Sequence, residues 1–477
     1  MSRHPRGLAT LWFTEFWERF SYYGMRALLV LFMTAAPAQG GLGFTAAKAG
    51  GIYGLYTAFA YLSSLPGGWL ADVFIGQRPA IVVGGIIIAC GHFSMALPGL
   101  GGFYAGLVLV VIGTGLLKPN VSSMVGQLYP DGGARRDAAF SIFYMGINLG
   151  SFTAPLVTGF LGQRVNWHLG FGAAGVGMLV GVAQYLAGTK HLGTAGTFVR
   201  RAPRPISARA PLVLAIIAVG ALSLLALAPI APPSATTITS VGGAIVLGLP
   251  VAYFAWILTA GGLSPDERTR IGVVAVLFLF SAVFWSGFEQ GGSSLNLFAQ
   301  RDTDLMVLGH AMPASWFQSL NGLLIILLAP VFAWLWVALA ARGAEPSVPV
   351  KFVCGLSLTS VGFATMALAA LRAAGGHLVS PWWLVGTYVL HTTGELCLSP
   401  VGLSTVTGLA PSRLAGQTMG IWFMSLAVGN WIGGQIAGHF DAVPLPHLFG
   451  GVAIALAGAA IIMALLTRPI AAITARR

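Results

Sequence analysis

Seven ionisable side chains lie inside otherwise apolar stretches of this 477-residue chain: Glu15, Glu18, Arg19, Arg26, Lys118, Glu289 and Glu395. A charge in hydrocarbon costs about 2.5–3.5 kcal/mol on insertion scales, so such residues are kept where they serve a function. Four acids against three bases allow ion pairing and leave one carboxylate over, and a carboxylate removed from water tends to hold a proton. The chemistry open to such a set is reversible proton capture together with electrostatic grip on a charged solute. Glu15, Glu18, Arg19, Tyr22, Tyr23 and Arg26 are spaced so that, at about 100° per residue, they share an arc of roughly 140° on one helix. Phe13, Trp17, Phe20 and Leu28 fall outside that arc. One face of this helix is expected to meet a cavity and the other to meet lipid or neighbouring helices.

The elements that must position these groups follow from composition. With 56% hydrophobic and only 8% charged residues, the chain cannot form a soluble globule, whose residues are typically about 25% charged. Soluble enzymes, secreted disulfide scaffolds and disordered proteins are excluded. The apolar residues come in long runs such as 80–90 and 211–230, not in the alternating segments of about ten residues that build an outer-membrane barrel. An all-α integral membrane protein is expected. Breaks at Pro, Gly and charge predict spans near 10–35, 46–71, 79–98, 101–128, 137–163, 167–188, 211–230, 238–261, 270–299, 314–341, 350–371, 381–409, 414–440 and 447–467.

Fourteen spans put both termini on one side. Eighteen of the 25 Lys and Arg then fall on that side, three lie in spans, and only Lys48, Arg164, Arg301 and Arg372 are opposite. By the positive-inside rule both termini are cytoplasmic, in the cytoplasmic (inner) membrane, and the net charge of +12 reflects topology, with no nucleic-acid partner implied. Cys90, Cys354 and Cys397 have no metal-ligand spacing, so neither a metal site nor a disulfide framework is expected. The first segment lacks a cleavage site after a short apolar core and is read as a retained helix. The polar stretch 189–210 reads as a cytoplasmic linker that divides a six-helix bundle, 1–188, from the remainder of the chain. The spans within 211–261 carry no ionisable residue and read as an inserted lipid-facing hairpin before a second six-helix bundle, 262–477.

Two sets of motifs carry a resemblance. The loop GWLADVFIGQR holds Gly68, Asp72, Gly76 and Arg78 in the pattern G-x3-D-x3-G-x-R, which resembles the cytoplasmic loop motif of the major facilitator superfamily, where an acid and a base latch helix ends. EFWERFSYYG resembles the E-x-x-E-R-F-x-Y-Y-G signature of the proton-dependent oligopeptide transporter (POT) family, a branch of that superfamily. Further similar blocks, GTGLLKPN, FSIFYMGINLG, FWSGFEQGGS, ASWFQSLNGLLIILLAP, GELCLSPVGLS and GIWFMS, occur in family order along nearly all core helices. The chain is identified as a member of the fourteen-helix bacterial type.

The resemblance implies a proton-coupled symporter that imports di- and tripeptides by alternating access, with the proton as coupling ion, no cofactor, and a functional monomer. It assigns Arg19, Lys118 and Tyr23 to the peptide carboxylate, and Glu395, Asn148 and Asn321 to the ammonium, in agreement with charge complementarity. Tyr22, Tyr61, Trp285, Trp422 and Phe423 would line side-chain pockets, whose broad aromatic faces tolerate varied shapes. Arg26 with Glu289, and Lys118 with Glu395, would act as gates, and Glu15 and Glu18 would couple protonation to Arg19. Pro119, Pro155, Pro330 and Pro400 are candidate flexing points.

Mammalian members place a histidine seven residues before the tyrosine matching Tyr61, where this chain has Gly54, so coupling through that histidine is not open to it. Of the histidines present, only His391, one turn before Glu395, is worth testing. Plant relatives move nitrate and other metabolites, so a same-fold carrier of another small solute or of peptide-like compounds is the alternative cargo reading. The E-x-x-E-R carboxylates favour peptide. H-E-x-x-H, G-x-S-x-G and paired-aspartate motifs are missing from the sequence, which speaks against an enzyme.

Overall fold

The computed structural model describes residues 4–197, 235–307, 309–411 and 414–474. Positions 198–210 of the expected linker and the hairpin's first span, 211–230, lie outside the described residues. The helices are α1 (Arg6–Thr34), α2 (Ala46–Leu62), α3 (Ser64–Leu70), α4 (Gln77–Met95), α5 (Leu100–Gln127), α6 (Gly133–Phe160), α7 (Trp167–Gly188), α8 (Ala235–Ala260), α9 (Pro265–Phe288), α10 (Ser294–Arg301), α11 (Ser319–Ala341), α12 (Val348–Ala373), α13 (Trp382–Leu409), α14 (Ala415–Ala437), α15 (Leu445–Leu465) and α16 (Thr467–Thr474). Among the described residues, the sole sheet is a two-stranded pair, Met306–Val307 with His310–Ala311.

Nine helical segments among the described residues are long and apolar enough to cross a membrane. Of the other long helices, α1 carries its internal charges and α2 runs only 17 residues. Helix starts obey local chemistry. Ser264 and Glu267 form a reciprocal capping box ahead of α9, with Pro265 in its first turn, and Asn166 accepts from the His168 N–H to cap α7. Gly76, at φ +82°, turns the chain from the π-helical segment Ala71–Ile75 into α4, a left-handed geometry natural to glycine.

The expected flexing prolines lie inside continuous helices: Pro119 in α5, Pro155 in α6, Pro330 in α11 and Pro400 in α13. Neighbouring helices can re-satisfy the backbone groups a proline frees in a membrane helix, so its presence need not interrupt the element. Interruptions come elsewhere. The span expected over 46–71 divides at Ser63 between α2 and α3, and that over 270–299 divides at the 3-10 turn Glu289–Gly292.

The chain forms two compact units. Unit 1 comprises residues 1–43, 59–238 and 313–323; unit 2 comprises 44–58, 239–312 and 324–477. Neither is one uninterrupted stretch, because the first part of α2 clusters within unit 2 and the 313–323 segment within unit 1. In unit 1, Leu11, Ile81, Leu117, Met124, Phe143, Met178 and Tyr185 share one buried apolar cluster built by α1, α4, α5, α6 and α7. In unit 2, Ile257 at the end of α8 packs with Leu263 and Ile271. Val251 of α8 is 69% exposed, as an apolar side chain facing lipid would be.

Candidate functional site

Unit 1 gathers the charged face of α1. Glu15, Glu18 and Arg19 are 1%, 1% and 3% exposed, so the ion cluster is sequestered inside the bundle. Arg19 pairs with Glu18 through both Nε and Nη2, and its Nε lies 3.3 Å from Glu15 Oε1. Its guanidinium also stands 5.1 Å from the Tyr22 ring centroid and 5.9 Å from that of Tyr23, and Arg26 lies 5.8 Å from the Tyr23 ring. Two carboxylates and two aromatic rings therefore surround the buried Arg19 cation.

The opposite face of α1 explains why the helix can present this cluster. Phe20 and Leu28 are buried, Trp17 is half-buried, and Phe13 remains exposed. On the α6 side, a Cβ at Gly150 would come within 2.6 Å of the Phe16 carbonyl oxygen and 3.0 Å of Arg19 Cβ. Only a glycine lets the α6 backbone approach Arg19 so closely, and Gly150 is the last residue of the FSIFYMGINLG block. Asn148, two residues earlier, is buried and donates its Nδ2 to the Tyr144 carbonyl at 2.9 Å. Asn321, in the segment at the start of α11 that belongs to unit 1, is half-buried.

Lys118 reaches the same region from α5. A Cβ at Gly115 would meet Ser63 Cβ at 2.8 Å, so α5 presses on the break between α2 and α3. Three residues on, Lys118 Nζ lies 4.1 Å from the Tyr61 ring centroid, a cation–π contact. Of the residues the sequence singles out, unit 1 thus brings Glu15, Glu18, Arg19, Tyr22 and Tyr23 together on α1 and sets Lys118 of α5 against Tyr61.

Unit 2 holds the other acids. Glu289 opens the 3-10 turn after α9 and is 4% exposed; Glu395, on α13, is 8% exposed. Gly394 lets α13 approach α12 beside Glu395, since a Cβ there would lie 2.8 Å from the Gly355 carbonyl oxygen. Trp285 forms an edge contact with Phe288 at 5.2 Å. Trp422 is buried and its neighbour Phe423 is exposed, so the two side chains face different surroundings. Ser281 and Ser425 join α9 to α14 through their hydroxyls at 2.9 Å.

Several side chains here escape sequence reasoning. His92 is buried within α4, with Nε2 2.5 Å from Ser21 Oγ, although its position in the sequence suggests a span end. Tyr388 donates to the Gly291 carbonyl at 3.3 Å, in the turn that holds Glu289. The available signal was spacing: Tyr388, His391 and Glu395 stand on one face of α13. At Gly54, a Cβ would meet Gly434 Cα at 2.9 Å and the Asn430 carbonyl oxygen at 3.0 Å, so backbone fills the place of the missing histidine side chain.

The G-x3-D-x3-G-x-R loop ties ends within unit 1. Arg78 donates from Nε to the Ala195 carbonyl at 2.8 Å and from Nη2 to the Gly193 carbonyl at 2.5 Å, holding the turn after α7. Asp72 accepts from Gln77 Nε2 at 3.2 Å, and Gln127 Nε2 donates to Gln77 Oε1 at 2.8 Å. The expected latch is therefore built from a guanidinium on carbonyls and an amide relay. Nearby, Tyr129 lies 2.7 Å from His4 Nδ1; burial pushes its phenol up, and Arg135 opposes that shift.

A sequence model of the POT family matches residues 78–448. A peptide transporter of Yersinia enterocolitica is 44% identical over 98% of this chain and 94% of its own length. A di-/tripeptide transporter of Lactococcus lactis is 38% identical over 98% of this chain and 96% of its own length. The crystal structure of a peptide transporter POT in complex with sulfate superposes with a TM-score of 0.90 at 44% identity, covering 98% of this chain and 96% of that one.

Proposed function

The chain belongs to the POT family of major facilitator transporters, and on that premise we propose that it imports di- and tripeptides by proton symport through alternating access. The observation that carries this reading is the buried Glu15–Glu18–Arg19 cluster faced by Tyr22 and Tyr23. A cation shared between two carboxylates is released in part when either carboxylate takes a proton, and a freed Arg19 can then bind a peptide carboxylate. Proton binding and substrate binding are thereby linked in one side chain. The names of the Yersinia and Lactococcus relatives support peptide as the cargo.

In this reading Arg19, Lys118 and Tyr23 hold the peptide carboxylate, while Glu395, Asn148 and Asn321 hold the ammonium. Tyr22, Tyr61, Trp285, Trp422 and Phe423 accommodate side chains. Arg26 with Glu289 and Lys118 with Glu395 act as gates that open when one partner is protonated or engaged by substrate. The coupling ion is the proton and no cofactor takes part; the protein acts as a carrier, not an enzyme, and functions as a monomer. It sits in the inner membrane with both termini cytoplasmic, as the Lys and Arg distribution supports.

The test is uptake of labelled dialanine by liposomes containing the purified protein, with and without an inward proton gradient. Accumulation only with the gradient supports the reading. Folded protein that moves no peptide under any gradient, yet moves nitrate, would replace it with the small-solute alternative.

A further inference from the structure

The end of α9 is irregular where most of unit 2 is regular. The helix stops at Phe288, the 3-10 turn Glu289–Gly292 comes next, and α10 begins at Ser294. Such turns have poorer hydrogen-bond geometry than an α-helix and depend on outside contacts to stay in place. One contact comes from α13: Tyr388 Oη donates to the Gly291 carbonyl at 3.3 Å. Gly291 suits this approach, because a Cβ there would sit only 3.3 Å from the same hydroxyl oxygen.

Helix α13 carries Tyr388, His391, Thr392 and Glu395 at spacings of three, four and seven residues, one face over two turns, and all four are buried. The His391 ring lies 6.4 Å from that of Phe288, the last residue before the turn, and 5.0 Å from Phe363 on α12. On the other side, α14 meets the turn through Gly433, whose Cβ would lie 3.6 Å from Gln290 Cγ. The titratable groups that α13 presents on this face are thus Tyr388, His391 and Glu395, and the α14 contact is a glycine. The face that begins on the turn of Glu289 ends at Glu395.

We infer that Tyr388 is a positioning residue for proton coupling: its hydrogen bond to Gly291 ties the Glu289 turn to α13, so displacement of the turn is passed to Glu395. This rests on the roles proposed for Glu289 and Glu395 in peptide symport. Because α13 is one continuous helix of 28 residues, Tyr388 and Glu395, about 10 Å apart along its axis, move as one body. A charge change at Glu289 that shifts the turn therefore pulls on Tyr388 and alters how Glu395 is presented.

The experiment compares wild type, Tyr388→Phe and Gly291→Ala in liposomes by two readouts: gradient-driven dialanine uptake, and counterflow exchange of dialanine with no gradient. Tyr388→Phe keeps the ring and removes only the donor; Gly291→Ala crowds the same contact from the other side. Gradient-driven uptake is expected to fall roughly three- to tenfold in both variants, the scale of one hydrogen bond, with counterflow rate and half-saturating dialanine held within about twofold. An equal fall in both readouts, which a merely structural role would give, overturns the inference, and so does no change in either. Glu289→Gln is measured alongside. If it leaves gradient-driven uptake intact, the premise fails and the inference with it; if it abolishes coupling while Tyr388→Phe behaves as wild type, the inference alone fails.

Discussion

Arg19 is gripped by Glu18 through two nitrogens, whereas Glu15, one helical turn earlier, touches it by a single oxygen at 3.3 Å and leaves Oε2 buried with no hydrogen-bond partner among the described residues. The two carboxylates of one motif are therefore not equivalent, and the difference makes them separable by mutation.

Glu18→Gln removes the two-point partner of a buried cation. Breaking such a pair costs about 3–5 kcal/mol because it leaves a charge uncompensated, so this variant is expected to lose gradient-driven uptake and to melt earlier in detergent. Glu15→Gln keeps the Glu18 pair and is expected to melt closer to wild type. Equal thermal shifts for the two would show that the asymmetry has no energetic meaning.

Lys118 rests on the Tyr61 ring at 4.1 Å. Tyr61→Phe keeps an aromatic face and is expected to change dialanine half-saturation by less than about twofold, while Tyr61→Leu, losing a contact of about 0.5–2 kcal/mol, is expected to raise it several-fold. Concentration series of uptake decide this, and matching effects of Phe and Leu would point to the hydroxyl instead of the ring.

Gly54→His would not restore the histidine of mammalian relatives. The added Cβ meets Gly434 Cα and the Asn430 carbonyl oxygen at 2.9 and 3.0 Å, so α2 must shift within unit 2. Overpacking of this kind costs about 1–3 kcal/mol. Lower yield of monodisperse protein and a lower melting temperature are expected by size-exclusion and thermal assays, with Gly54→Ala affected in the same direction.

Asp441 pairs with Arg301 at 2.6 Å and accepts from the Ala46 N–H at 3.3 Å, but both charged side chains are substantially exposed. A solvent-exposed pair contributes about 0.2–1 kcal/mol and is screened by salt. Asp441→Asn should therefore leave uptake within about twofold of wild type, and any small stability loss should shrink at high ionic strength. A large loss of transport would mean that this pair does more than its exposure allows.

The proposed coupling to the proton predicts a definite sign. Acidifying the outside relative to the inside should raise dialanine accumulation, and a protonophore should abolish the rise. A membrane potential adds about 2.3 kcal/mol per 100 mV for each charge carried inward, so an inside-negative potential alone should also drive uptake. Accumulation indifferent to both forces would describe a facilitator, not a symporter.

Much of this architecture was legible from the chain. Long apolar runs broken by Pro, Gly and charge located most of the long described helices to within a few residues, because a chain in hydrocarbon must satisfy its backbone polar groups within the protein; the short α16, Thr467–Thr474, was not among the expected spans. The charged arc of α1 was equally readable, since residues three and four apart share a face whatever surrounds the helix. The breaks at Ser63 and Glu289–Gly292 were not: Pro66, Gly67 and Gly68 follow the first and Gly291 and Gly292 lie in the second, yet Pro119, Pro155, Pro330 and Pro400 sit in unbroken helices, so local composition does not say which disruptor interrupts a span.

By itself, then, the sequence determined which residues are charged, which segments are helical and which side chains share a helical face, since these depend on neighbours a few positions away. Tertiary structure alone decided that Arg19 is held by Glu18 more than by Glu15, that Lys118 rests on Tyr61, that His92 is buried against Ser21, and that Tyr388 reaches the turn of Glu289. The last three of those contacts join separate elements, up to 97 positions apart in sequence, and depend on how closely two backbones approach. At Gly115, Gly150 and Gly394 that approach is set by the absence of a side chain, a feature whose consequence appears only when the partner helix is in place.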